Sequence, residues 1–284
     1  MPRYYFNLPQ INALTPDQQA ALNEPRPIAL SGGPGTGKSV VSLWRHIANF
    51  QNTPQKKSLL LTYTTTLKEY LKSCCRSQSN EAANCVSTSL RNRNRIHNFS
   101  FAEVIIDEAQ DLGNDFYNDI SSSVSYGADD SQIVYPEHCS TEAQLRSIFP
   151  NNVEYTLSRN FRSTQRIMLF ARSCFPNAVI PREIINSLSN NIGELPVLMF
   201  SGGNPYDYTN KKQNDAIYEI INEFHSDTHN IAILVPFRGD VRAFENVLEG
   251  LGYTLGEDYS VYYEDTERFP NGAEEILNIH ITTF

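Results

Sequence analysis

Residues 27–48 read "PIALSGGPGTGKSVVSLWRHIA", and the order of the pieces decides the fold. Pro27–Leu30 has the length and composition of a buried strand. It runs into a glycine-rich turn, residues 31–39, which opens a segment where Val40, Leu43, Trp44, Ile47 and Ala48 recur at helical spacing. Gly32, Gly37, Lys38 and Ser39 fit the pattern G-x-x-x-x-G-K-[ST]. A glycine-rich string alone is often a tight turn; a strand before it and an amphipathic helix after it make it a phosphate cradle. In the loop Gly32, Gly33, Pro34, Gly35, Thr36 and Gly37, the glycines would let backbone N–H groups turn inward around phosphate at the helix N-terminus. Lys38 would bring a point charge to the outer phosphates, and the Ser39 hydroxyl can ligate Mg²⁺.

Working outward, further apolar runs at Ser58–Leu61, Val104–Ile106 and Ile133–Tyr135 read as strands. Leu67, Tyr70, Leu71 and Cys74 recur at helical spacing after the first of them. Strand and helix in alternation predict right-handed crossovers and parallel sheets. A second series starts near Val153 and includes "PVLMF", "IAILVP", "SVYY" and the closing "ILNIHIT". The Pro and Asn of "SIFPNNVEY" mark a boundary, so two α/β domains are expected, residues 1–152 and 153–284.

The 284 residues carry a net charge of −9, which argues against coating nucleic acid by bulk charge but leaves room for a local groove. One basic stretch, "SLRNRNRIHN", places Arg91, Arg93 and Arg95 among polar residues; a solvated loop is the simpler reading and a phosphate-contacting loop the sharper one. No apolar run approaches a membrane span, and the first residues lack a signal-peptide pattern, so a cytoplasmic location without membrane association is expected. The five cysteines show no metal-ligand spacing and read as reduced structural thiols.

A phosphate cradle needs a carboxylate for the metal and a group to orient water. "EVIIDEAQDL" supplies both: Asp107 at the end of an apolar strand for Mg²⁺, and Glu108 to accept a proton from the attacking water. Capping of a following helix is the plainer alternative.

With these motifs in place, the chain resembles the superfamily 1 helicases of the UvrD/Rep/PcrA kind. "LTPDQQAAL" resembles their Q motif, "LLLTYTTTLKEYL" motif Ia, "DEAQD" the Walker B box, "YGADDSQIVY" motif III and "LSRNFRST" motif IV. The resemblance implies two RecA-like P-loop NTPase domains that bind and hydrolyse ATP and step 3′ to 5′ along single-stranded DNA, or RNA. It places Gln18 on the adenine edge, Thr62, Tyr63 and Thr64 against the strand, and Gln132 at the γ-phosphate. Phe161 would stack on the base, and Arg162 would reach from the second domain as an arginine finger across the cleft. Surface ion pairing is the alternative for Arg159 and Arg162.

The departures are as informative. Residues 72–103 leave room for only a helix and a loop where large helicases carry an inserted domain, and a second insertion is also absent. "ILNIHITTF" resembles the strand that leads into motif V. The second domain is therefore expected to be incomplete at its C-terminal end, with Ile276–Thr283 as an open edge; the plainer explanation is a fragment of a longer chain, the sharper one a protein partner or second copy that completes the sheet. Two functions follow: an ATP-dependent helicase or translocase on single-stranded nucleic acid, or a nucleotide-sensing regulatory subunit that gates a partner such as a nuclease.

Overall fold

A computed structural model describes residues 8–52, 57–89, 101–118, 120–133, 135–175, 182–198, 204, 207–226, 229–235, 237–261, 277 and 279–283. The arginine-rich stretch at 91–95 lies outside the described residues. The chain divides into a larger unit, Leu8–Tyr63 with Cys74–Val197, and a smaller one that takes in Thr64–Ser73 and the described part of 198–284.

The larger unit is built on a six-stranded sheet. Its strands are β1 (Ile28–Ser31), β2 (Ser58–Thr62), β3 (Val86–Thr88), β4 (Glu103–Ile106), β5 (Ser123–Gly127) and β6 (Val153–Thr156), in the order β3-β2-β4-β5-β1-β6. Every pairing is parallel. β2 and β4 are buried along their whole lengths, which is why their sequences, "SLLLT" and "EVII", run apolar rather than alternating. One face packs Leu59, Leu61, Val104, Ile106 and Tyr126 with Tyr117 and Leu145; the other packs Ile28, Leu30 and Val41 with Ala21 and Leu157. A buried ion pair ties helix Lys38–Asn52 to β4: Arg45 Nε donates to Glu103 Oε1 at 2.8 Å, while Asn49 and Ser125 donate to the same carboxylate.

Two expectations from the sequence change here. The run Ile133–Tyr135 forms no strand among the described residues; β5 lies ten residues earlier, in "SVSYG", whose serines hide it from an apolar count. The expected domain boundary at 152–153 also falls inside this unit. β6 pairs with β1 over four residues, Ile28 to Ser31 against Val153 to Thr156, and the chain stays with the larger unit to Val197.

The smaller unit holds a parallel sheet of β7 (Ile231–Val235), β8 (Ser260–Val261) and β9 (Ile279–Thr283), in the order β7-β9-β8. Val235, Val261, Ile279 and Ile281 pack with Ile221 of helix Lys211–Phe224 and with Val241, Phe244 and Leu248 of helix Arg238–Gly250. The expected edge strand is the central one: among the described residues β9 pairs on both sides, and β7 and β8 lie outermost. The residues of "PVLMF" that are described form no strand.

Candidate nucleotide site

Four strands of the larger sheet deliver the site at their carboxyl ends, where parallel α/β sheets hold ligands. β1 leads into the glycine-rich loop and helix Lys38–Asn52, β4 into Asp107 and Glu108, β5 into Asp129 and Gln132, and β6 into the stretch Leu157–Arg162. β5 lies between β1 and β4, so the loop lysine and the β4 carboxylates approach from strands separated by one strand.

The loop needs its glycines for two reasons. Gly32, Gly35 and Gly37 have φ of +139°, +73° and +91°, and their neighbours leave no room for a side chain. A Cβ on Gly32 would overlap the Leu157 carbonyl oxygen, and one on Gly35 would meet Arg162 and Asn160 within 3 Å. Gln18 closes the loop from behind. Its Oε1 accepts from Thr15 N at 2.9 Å in a capping box, and its Nε2 donates to Thr36 O at 2.9 Å. The carboxamide expected on an adenine edge is thus turned onto the loop backbone and 4 % exposed.

Lys38 is buried. Its Nζ donates to Gly32 O at 2.7 Å and Gly33 O at 3.3 Å, and stands 3.5 Å from Asp129 Oδ2. Asp107 is 1 % exposed, its N–H still in the sheet through Leu61 O, yet neither carboxylate oxygen has a hydrogen-bond partner of ordinary geometry. Burial, and then the neighbouring Glu108 charge, push its carboxyl up to about 7, although the nearby Ser39 hydroxyl, Lys38 and Arg162 favour the charged form. Glu108 takes a left-handed backbone, φ 56° and ψ 50°, the one non-glycine residue with positive φ among those described. That conformation costs about 1–2 kcal/mol. Gln110 Nε2 then holds Glu108 Oε2 at 2.8 Å.

Asp107 and Ser39 suit Mg²⁺, which takes one or two protein oxygens and completes its shell with phosphate and water. Two buried carboxylate oxygens without a hydrogen-bond partner of ordinary geometry, beside the Ser39 hydroxyl, are the observation that makes the fit.

Gln132 is placed by Asp129, whose Oδ2 accepts from its Nε2 at 2.6 Å. Arg162 departs from expectation. It belongs to the same unit as the loop, because β6 extends that sheet and the chain folds straight back: Leu157 N donates to Ser31 O, and Phe161 N to Gly35 O. Asn160 fastens the turn, donating to Pro34 O at 2.7 Å and accepting from the Arg162 and Ser163 amides. Phe161 is half exposed beneath the Arg159 guanidinium, 5.1 Å from its ring centroid.

Of the three residues expected on a nucleic-acid strand, only Tyr63 is exposed, at 40 %. Thr62 is fully buried at the end of β2. Thr64 caps helix Thr65–Arg76 through Leu67 N. Gln110, Asp129 and Asn160 stand out only in the fold, each buried and polar; the acidic and amide residues of "DEAQD" and "GADDSQ" are the sequence signal for the first two, and "LSRNFRST" for Asn160.

No protein-family model matches the chain, and no curated protein matches it. Among solved structures it is similar to the Sulfolobus solfataricus SWI2/SNF2 ATPase core in complex with dsDNA, at 14 % identity over 100 % of this chain and 79 % of that one, TM-score 0.36. It is similar to the Pif1 helicase from Candida albicans at 14 % identity, covering 85 % and 55 %, TM-score 0.43. A Pif1 helicase described in DNA unwinding at forked dsDNA gives 13 % identity, 82 % and 57 % coverage and TM-score 0.42. The chain spans little more than half the length of the two Pif1 chains. At such scores the likeness adds no weight to what the site shows. Among the described residues, no helix is long and apolar enough to cross a membrane.

Proposed function

We propose that the chain binds ATP with Mg²⁺ in the larger unit, hydrolyses it, and uses the cycle in a helicase-like action on single-stranded DNA, in the manner of the superfamily 1 helicases it resembles. The observation that carries this reading is Asp107, a carboxylate whose two buried oxygens lack a hydrogen-bond partner of ordinary geometry, at the mouth of a glycine-rich loop that also presents Lys38 and Ser39. Such a group is costly to bury unless a cation takes it up.

The roles follow from position. Loop amides from Gly35 to Ser39 cradle phosphate oxygens, and Lys38 exchanges its loop carbonyls for the outer phosphates. Ser39 and Asp107 hold the Mg²⁺, which neutralises charge on the phosphates. Glu108, held by Gln110, accepts the proton of the attacking water. Gln132 contacts the γ-phosphate, and Arg162 adds positive charge there from within the same unit. The smaller unit stands as the second RecA-like domain of the resemblance. Tyr63 is the residue that presents an aromatic face for a base.

Calorimetric titration with ATP and Mg²⁺ tests the reading. The wild-type chain is expected to bind, Lys38→Ala to lose binding, and Glu108→Gln to bind while any turnover falls by about 10²-fold or more. Equal affinity in wild type and Lys38→Ala would overturn the assignment of the loop.

A further inference from the structure

Asp129 connects three groups of the site. Its Oδ2 accepts from Gln132 Nε2 at 2.6 Å and stands 3.5 Å from Lys38 Nζ. Its Oδ1 accepts from the Ser131 amide and hydroxyl at 2.9 and 2.6 Å. Its own N–H donates to Gln110 Oε1 at 3.2 Å, and the other end of that carboxamide holds Glu108. The carboxylate is 4 % exposed, and among the described residues it is the one acidic group that pairs with the loop lysine. One residue therefore reaches the lysine, the γ-phosphate glutamine and, through Gln110, the water-orienting glutamate.

We propose that Asp129 is a positioning residue that couples phosphate engagement by Lys38 to the placement of Gln132. Lys38 and Gln132 share one oxygen atom of one carboxylate. When the ammonium turns to a phosphate, that oxygen loses a positive neighbour and Gln132 becomes its sole side-chain donor among the described residues, so the glutamine is tightened as the lysine engages. The Gln110 bridge fixes Glu108 against the same backbone amide, so the groups that meet the γ-phosphate and the water share one anchor. This inference rests on the nucleotide-hydrolase reading given above.

A plainer role exists, because Asp129 also caps the short turn Asp130–Gln132 through Ser131 N. Asn caps as well as Asp does, so Asp129→Asn keeps that role. What it removes is the charge, and one of the two acceptor atoms becomes a donor facing Gln132 Nε2 and the Lys38 ammonium. The two roles therefore predict different outcomes.

The test combines affinity for a non-hydrolysable ATP analogue with steady-state turnover. It compares the full chain with Asp129→Asn, Asp129→Glu, Gln132→Ala and the double variant that joins Asp129→Asn to Gln132→Ala. Coupling predicts that Asp129→Asn keeps analogue affinity within about 3-fold while kcat falls about 10-fold or more. In the double variant the first change should add less than about 2-fold to the second, because groups that act as a unit are not additive. Asp129→Glu, with its charge kept, should recover part of kcat; it also carries the comparison if Asp129→Asn melts early. Wild-type kcat in Asp129→Asn, or effects that multiply independently, would remove the coupling and leave the nucleotide reading intact. A wild-type chain that binds no analogue would remove that reading, and the coupling with it.

Discussion

Replacing Asp107 with Asn exchanges function for stability, and the structure sets the size of the exchange. The native carboxylate sits in a fully buried position with no hydrogen-bond partner of ordinary geometry, and its carboxyl is pushed from 3.8 to about 7 by burial and by Glu108. The folded-state value lies above the unfolded one, so the folded protein binds more protons between about pH 4 and pH 7. Stability contributed by this group is present at low pH and lost as pH rises through that window. At about 1.4 kcal/mol per pH unit the loss amounts to roughly 2–3 kcal/mol between pH 5 and pH 8, and Asn has no charge to bury. Urea denaturation in EDTA should therefore find Asp107→Asn the more stable protein at pH 8, with its advantage shrinking by about that amount at pH 5. Magnesium ATP should stabilise the wild type and leave the variant unchanged, since only a ligand that binds the folded form raises stability. A variant less stable than wild type at pH 8, or one with the same pH slope, would refute the reasoning.

Other outcomes follow from particular contacts. His46 is fully buried between Ser58 and the Ala82 carbonyl, and burial lowers it from 6.5 to about 4. Its folded value lies below the unfolded one, so about 2 kcal/mol should disappear as pH falls from 7 to 5; His46→Gln should flatten that slope in urea titrations. Glu103→Ala leaves Arg45 buried beside two backbone carbonyls without its carboxylate, and should cost about 3–5 kcal/mol by the same assay. A loss under about 1 kcal/mol would contradict the buried pair. Gly32→Ala forces a Cβ into the Leu157 carbonyl at a φ of +139°, so nucleotide affinity should fall at least about 10-fold by calorimetry. Tyr63→Ala should weaken single-strand binding by about 1–3 kcal/mol in fluorescence anisotropy; no change would separate Tyr63 from the strand.

The sequence displayed the centre of the site because local order encodes it: strand, glycine turn, lysine and helix are contiguous, and so are "EVII" and Asp107–Glu108. What it hid depends on pairing between distant residues. β6 reads as the start of a new domain until its register against β1 is known, and that register moves Arg162 into the loop's own unit. β9 comes last in the described chain yet lies in the middle of its sheet, a position no local pattern encodes. Thr62 illustrates the limit of alternation. In a parallel strand covered on both faces, "LLLT" buries its threonine like its leucines, and exposure begins only at Tyr63. The connecting polar residues Gln110, Asp129 and Asn160 stayed hidden because an amide or a carboxylate in a loop is ordinary until its buried partners are seen.

The central claim is that this chain turns over ATP through the loop and the β4 carboxylates. Steady-state hydrolysis with and without single-stranded DNA, in wild type and Glu108→Gln, tests it most directly. The account predicts turnover that DNA stimulates and that falls about 10²-fold or more in Glu108→Gln while ATP binding persists. Equal turnover in the two proteins, or none in a wild type shown to bind ATP, would contradict it.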